Sequence, residues 1–432
     1  MAREDEPVRT RGFNRVWTMT RFLHCADLHI DSPLKGLSAY PGAPVETIRG
    51  ATRQAVESLV ELAVAESVDL VVIAGDVYDG DWKDFSTGLY FRAQMGRLHE
   101  AGIPVVLIRG NHDAASVITK QLKLPHLQTL PHGQPGSVVF EDLGLAIHGQ
   151  SFATRAVLDN LAAAYPAPVA GMTNIGLLHT SLSGAPGHDT YASCELRELV
   201  AHGYDYWALG HIHERAVLHE HPFVVFPGNL QGRHMRETGP KGATIVDVGD
   251  AGLELTHHSL DHVRWERVRV DAGAVTDEAD LLERAGSALA DTLGRSDGRL
   301  LAARVELTGM TSAYGELIRD RDRIDVELRG LATDLGFEQI WLEKIVWEIA
   351  PPRSAAGIDE SLGVALGVLS RAGEDPRVLA ELAEQLRPLA LKLPAELRSG
   401  PDAIDPTDPD TLRRLLAEAR ETLPGYLLER AA

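Results

Sequence analysis

Five short apolar runs in this chain break off into side chains that bind metals. "TRFLHCADLH" (20–29) ends in Asp27 and His29, and "DLVVIAGDVYD" (69–79) ends in Asp76 and Asp79. "IPVVLIRGNHD" (103–113) ends in Asn111, His112 and Asp113, "NIGLLHT" (174–180) carries His179, and "DYWALGHIH" (205–213) ends in His211 and His213. Apolar runs this short predict strands buried on both faces, and "DLVVIAG" (69–75) is rich in β-branched residues as well. Helical patterns lie between them, over 46–67 with Val56, Leu59, Val60, Ala63 and Val64 at helical spacing, and over 86–101. Further strands are expected at 222–229 and 242–248. Strand–helix alternation of this kind predicts an α/β fold with both sheet faces covered.

At 432 residues the chain exceeds one ordinary core, so two or three domains are expected. The pattern changes after about residue 265, where "LLAARVELTG" (300–309) alternates like a strand and a charged helical stretch follows over 311–334. The expected division is a disordered extension over 1–18 (or a true start at Met19), a catalytic domain over 19–265, a small α+β cap module over 266–352, and a helical C-terminal region over 353–432. Within that last region the Pro/Asp-rich 393–410 reads as an exposed loop. Two cysteines, Cys25 and Cys194, offer no disulfide framework, and the polar N-terminal residues do not read as a signal peptide. Both point to a cytoplasmic protein. No G-x-x-x-x-G-K-[ST] stretch occurs, so the chain shows no standard ATP-binding loop. The net charge of −20 argues against a protein that holds nucleic acid by its own field alone.

Function in open α/β sheets gathers at the carboxyl ends of strands. Asp27, His29, Asp76, Asn111, His179, His211 and His213 make seven candidate ligands there. Imidazole, carboxylate and amide without thiolate suit Mn²⁺, Fe²⁺ or Zn²⁺ in a reactive site better than a sulfur-rich structural one. Seven ligands exceed the needs of one ion. Two ions about 3.5–4 Å apart, sharing a carboxylate, are the usual arrangement for phosphate-ester hydrolysis. In an extended segment residues i and i+2 point the same way, so D-x-H at 27–29 and H-x-H at 211–213 are each expected to aim both side chains to one side. Gly75, Gly110 and Gly210 are expected to let the backbone turn sharply beside the ions.

D-x-H, G-D-x-x-D, G-N-H-D, a lone His and G-H-x-H, in this order, resemble the signatures of the calcineurin-like metallophosphoesterases. Within them the chain is most similar to the SbcD-like DNA repair exonucleases of the bacterial YhaO type, through "HTSLSGAPGHDTYASCEL" (179–196), "YDYWALGHIHERAVL" (204–218) and "FPGNLQGRHMRETGPKGATIVDV" (226–248). The resemblance covers roughly residues 20–350. It implies a two-sheet α/β/β/α sandwich and a pair of divalent ions, Mn²⁺ foremost, with Fe²⁺, Zn²⁺ or Mg²⁺ as alternatives. One ion would lie on Asp27, His29, Asp76 and His213, the other on Asp76, Asn111, His179 and His211. It further implies attack of a bridging hydroxide on phosphorus, with His112 assisting the leaving group and Asp79 orienting His112. The implied partners are DNA, a second copy of the chain and an SbcC-like or YhaN-like coiled-coil ATPase.

Plainer readings stand beside these. A single histidine on an apolar strand is more often structural, and only its place in the series promotes His179. His24, His99, His126, His148 and His202 receive no such promotion. His188, Arg233, His234 and Arg236 are candidate substrate contacts, with Lys241 beside them, but a solvated loop explains them equally well. Asp113 is expected to support its turn, and Cys25 to be a small buried residue. Two other functions remain open: a small-molecule phosphodiesterase or phosphomonoesterase, acting for instance on cyclic nucleotides, and a non-catalytic scaffold of the same fold.

Overall fold

A computed structural model describes residues 19–34, 37, 42–79, 84–116, 118–119, 122–182, 191–352, 358–390 and 405–429. The expectation for residues 1–18, and most of that for 393–410, lie outside the described residues. The chain divides into two compact units, the first ending at Trp265 and the second beginning at Glu266.

The first unit holds two six-stranded sheets. One contains β1 (Thr20–Cys25), β2 (Leu70–Ile73), β3 (Val105–Leu107) and β4 (Gln128–Thr129), with β11 (Gly242–Gly249) and β12 (Gly252–Ser259), in the order β12-β11-β1-β2-β3-β4. The other contains β5 (Gly136–Phe140), β6 (Leu145–Gly149), β7 (Thr173–His179), β8 (Tyr206–Gly210), β9 (Ala216–Glu220) and β10 (Phe223–Phe226), in the order β5-β6-β7-β8-β10-β9. The runs β1–β4 and β6-β7-β8-β10 are parallel, and antiparallel strands complete both sheets. Phe22, Val72, Val106 and Ile108 of the first sheet pack on Ile147, Ile175, Leu177 and Tyr206 of the second. The outer face of the first sheet is covered by α1 (Val45–Ala65) and α2 (Phe85–Glu100), where Val56, Leu59, Phe91 and Leu98 meet Leu23, Val71 and Ile73. The outer face of the second carries Trp207, Leu209 and Val224 against Leu199 and Leu161. The unit is therefore the expected α/β/β/α sandwich. The helical reading of α1 needs one adjustment: Val64 lies on its outer side, 46% exposed, while Val56, Leu59, Val60 and Ala63 are buried. Asp84 caps α2 by accepting from Ser86 N at 2.8 Å.

The boundary between the units falls within β13 (Val263–Asp271), which forms a three-stranded sheet with β14 (Leu300–Met310) and β15 (Ile340–Ala350), β14 and β15 being parallel. α5 (Glu278–Gly294) and α7 (Arg321–Leu335) bury Leu281, Ala285, Leu289, Ile324 and Leu328 against Val305, Leu307, Leu342 and Ile345, with the short α6 (Tyr314–Arg319) before α7; the first unit also carries the short α3 (Asn111–Ala115) and α4 (Leu196–Ala201). The charged stretch 311–334 is thus two helices that meet at Asp320. Among the described residues the helices α8 (Ile358–Glu374), α9 (Pro376–Ala390) and α10 (Pro409–Glu429) follow. Among the described residues no helix is long and apolar enough to cross a membrane. Cys25 and Cys194 are buried free thiols.

His24 shows how the sheets are stitched. Its ring is fully buried between them, Nδ1 beside the Tyr206 hydroxyl at 3.0 Å and Nε2 beside the Leu209 carbonyl at 3.2 Å. Burial pushes its pKa down to about 3, against the carbonyl contact, which raises it. The folded value lies below the unfolded one, so unfolding takes up a proton and stability falls as pH drops below about 6.5. His24→Gln keeps a donor and an acceptor but cannot titrate. Its cost in stability, read by urea denaturation, should therefore shrink by on the order of 2 kcal/mol between pH 7 and pH 5. A cost independent of pH would contradict this account.

Candidate metal centre

Five parallel strands, β1, β2, β3, β7 and β8, deliver their C-terminal loops to one edge of the sandwich. The first two loops are zipped together by backbone: Asp27 N donates to Gly75 O at 3.0 Å, His29 N to Asp76 O at 3.1 Å, and Ile30 N to Val77 O at 3.0 Å. Asp27 (φ 52°), His29 (φ 41°), Asp76 (φ 56°) and His211 (φ 100°) all hold positive φ, a region costly for non-glycine residues and concentrated at functional sites. Here the structure corrects the sequence reading. D-x-H converges through left-handed backbone and not through strand alternation, and His211 and His213 go to different clusters.

The glycines also act differently from expectation. Of the three, only Gly75 has positive φ (96°). Gly110 and Gly210 are required by close approach: a Cβ would sit 2.3 Å from Asp76 Oδ1 at the first and 2.1 Å from Ala74 O at the second. Asp113 staples two loops, its Oδ1 accepting from Val77 N (3.0 Å) and Tyr78 N (3.1 Å), its Oδ2 from Gly110 N (3.1 Å).

The side chains converge in three groups, within each of which the ligand atoms lie within 4.8 Å of one another: Asp27, His29 and His213; Asp76, His179 and His211; and His29, Asp79 and His112, the first and third sharing His29. His179 Nδ1 sits 2.9 Å from Ala74 O, and its Nε2 faces Asn111 Oδ1 at 2.9 Å and Asp76 Oδ2 at 3.3 Å. The same Asp76 oxygen is 4.0 Å from His29 Nε2, which places Asp76 between the first two groups. Asp76 Oδ1 accepts from His112 N at 2.9 Å, and both oxygens of Asp27 accept from His211 N at 3.0 Å. Asp79 Oδ1 serves two rings, His112 Nδ1 at 3.1 Å and His29 Nδ1 at 3.2 Å.

This donor set fits cations. An oxygen that can only accept stands against Nδ1 of His29 (Asp79), His179 (Ala74) and His213 (Glu237, 2.7 Å), and at His213 the Arg233 Nη2 donor stands farther off, at 3.1 Å. With these oxygens each ring can hold its proton on Nδ1 and leave Nε2 to a cation, the arrangement in which outer partners orient metal-bound imidazoles. Two of these, His29 Nε2 and His213 Nε2, face each other at 3.2 Å, an arrangement that a cation between them resolves. Burial opposes charge on His179, but the Asp76 carboxylate raises its pKa to about 9, so this corner attracts positive charge. Burial raises Asp27 to about 6. On His112 burial works against protonation, and the hydrogen bond to Asp79 with the charges of Asp76 and Asp79 outweighs it, raising the pKa. His112 differs in access too: 30% of its side chain is exposed, against 2% for His29 and none for His179.

The predicted substrate contacts fare unequally. Arg233 lies beside the centre, 3.8 Å from Asp79, but its guanidinium is paired with Glu237 at 2.8 Å. His234 is half exposed and Arg236 exposed, and with Arg233 they line a pocket of about 400 Å³ that reaches His213. Lys241 is buried and donates to the His213 carbonyl at 2.8 Å, a supporting role. His188 lies outside the described residues. Sequence reading missed Glu237, which stands within the quoted "GRHMRETGPK" but among basic residues that drew attention first.

Residues 20–215 match the calcineurin-like phosphoesterase family, and residues 265–350 match the middle domain of metallophosphoesterase YhaO. The uncharacterized metallophosphoesterase YhaO of Bacillus subtilis is 35% identical over 76% of this chain and 80% of its own length. The chain belongs to the YhaO-type calcineurin-like metallophosphoesterases. A DNA double-strand break repair protein Mre11 of Methanopyrus kandleri is 25% identical over 72% of this chain and 70% of its own. Among solved structures, a dimetal phosphatase from Danio rerio is 12% identical, with a TM-score of 0.36, over 56% of this chain and 96% of that one.

The Asp113 staple is directly testable. Asp113→Ala leaves three buried N–H groups without their acceptor, at about 1–3 kcal/mol each. In EDTA the melting temperature should fall by about 6 °C or more, using about 2–4 °C per kcal/mol for a unit of this size. A shift of about one degree or less in differential scanning calorimetry would show that the carboxylate is not what joins the loops.

Proposed function

We propose that this chain is a metal-dependent phosphodiesterase that acts on DNA as an exonuclease in repair. The observation that carries the reading is His112: an accessible imidazole, held by Asp79, beside a buried set of ligating side chains. Asp27, His29, Asp76 and His213 would hold one ion, and Asp76, Asn111, His179 and His211 the other, most simply Mn²⁺. Two such ions neutralise phosphoryl charge and make water nucleophilic near neutral pH. His112 then gives its proton to the departing sugar oxygen, and Asp79 orients the ring and favours its charged form. Arg233, His234 and Arg236 border the centre on one side, where a phosphate chain would pass. Glu237 neutralises much of Arg233, so Arg236 and His234 supply the freer charge.

DNA as substrate is supported by the relatives named as DNA double-strand break repair proteins. In this reading residues 19–265 do the chemistry, 266–352 cap the substrate, and 353–432 contact a partner. That partner is a YhaN-like or SbcC-like coiled-coil ATPase, and the chain works as a homodimer; the acidic net charge of −20 favours a grip on DNA shared with such a partner.

The test is turnover with Mn²⁺ of labelled single- and double-stranded DNA, beside a cyclic nucleotide and bis-p-nitrophenyl phosphate. DNA is expected to be degraded, with kcat lower by about 10²–10⁴-fold in His112→Ala and no activity in Asp76→Ala. Cyclic-nucleotide turnover without DNA cleavage would replace this reading with a small-molecule phosphodiesterase. Metal binding with no turnover of any of the four would leave a scaffold.

A further inference from the structure

Glu237 is buried, 6% exposed, and its carboxylate is ringed by N–H groups of Arg233 and Asn229 and by the ring of His213. Oε1 lies 2.7 Å from His213 Nδ1 and accepts from Arg233 Nη2 at 2.8 Å, and the same Nη2 stands 3.1 Å from His213 Nδ1. Oε2 accepts from Arg233 N at 2.8 Å, Asn229 Nδ2 at 3.0 Å and Arg233 Nε at 3.3 Å. A carboxylate offers about four lone-pair directions, so this one is saturated and fixed. It reaches two different parts of the site. One is the ring of His213, whose Nε2 faces His29 Nε2. The other is the guanidinium of Arg233, on the wall of the pocket that His234 and Arg236 also line.

We propose that Glu237 is a positioning residue with two separable tasks. It fixes His213 as the Nδ1–H tautomer, with Nε2 free for a cation, and it anchors Arg233 where an anionic group of the substrate enters. The inference rests on the dinuclear reading given above. A carboxylate behind a metal-bound imidazole is worth about 10–100-fold in metal affinity. Glu237→Gln turns an amide N–H toward groups that are themselves donors, so both tasks suffer. Arg233→Gln leaves the His213–Glu237 bond in place and removes the competing donor 3.1 Å from His213 Nδ1, so only the second suffers.

Full-length protein is titrated with Mn²⁺ by calorimetry, and the Mn²⁺-loaded protein with inorganic phosphate. In Glu237→Gln one of two Mn²⁺ sites should weaken by about 10–100-fold while the other holds. In Arg233→Gln both Mn²⁺ sites should stay within about threefold of wild type, with phosphate weakened about tenfold or more, the loss of one charge-assisted contact. Equal Mn²⁺ loss in the two variants would reduce Glu237 to general support and overturn the proposal. Long-range ¹⁵N–¹H spectra of the metal-free wild type read the tautomer without any substitution. Nδ1–H is expected at His213, and Nε2–H would overturn the proposal even where Glu237→Gln fails to fold. Fewer than two Mn²⁺ in the wild type would refute the dinuclear reading, whereas the tautomer result still decides the task of Glu237.

Discussion

The buried carboxylate of Asp76 is the point on which the rest of the site depends. It is 1% exposed and sits at φ 56°. One oxygen receives the backbone N–H of His112, and the other faces the ring of His179. Burial alone would neutralise it. Its neighbours reverse that: His179, His29 and His112 hold its pKa below the ordinary carboxylate range. A charge so placed needs positive partners, and the surrounding imidazoles supply them. The parallel strands supply the remaining condition, since their loops reach one edge from both sheets.

Concentrating such groups costs stability, and the structure shows where the cost is met. Four ligand candidates occupy strained backbone, and two carboxylates, Asp27 and Asp113, are pushed toward their neutral forms by burial. Against this stand the backbone zipper between the loops after β1 and β2, the Asp113 staple, and the packed core between the sheets. A site built on strain held by rigid neighbours keeps its geometry before any ligand arrives.

Much of this was legible in the sequence, for physical reasons that differ between elements. Strands such as "LVVI" and "YWALG" are apolar throughout because both faces are covered, and their composition announces them. The edge strands β5, β9 and β12 are partly exposed and mix polar with apolar residues, so their runs carry little signal. The helix α5 carries a regular apolar stripe, Leu281, Ala285 and Leu289, but lies among polar residues that mute its signal. The ligand candidates stood out because their chemistry lies in the residue types at the strand ends. The backbone that aims them did not. Nothing in "ADLH" announces left-handed residues, and nothing at Glu237 announces that a turn 24 residues beyond His213 brings it against that ring. Lys241 was grouped with exposed cations for the same reason: its burial is a property of the fold.

The central claim is that seven side chains hold two ions and that His112 stands outside the set. Metal content measured by mass spectrometry, after equilibration with Mn²⁺ and gel filtration, tests it most directly. Two ions per chain are expected both in the wild type and in His112→Ala. One ion in the wild type, or a lost ion in His112→Ala, would contradict the account.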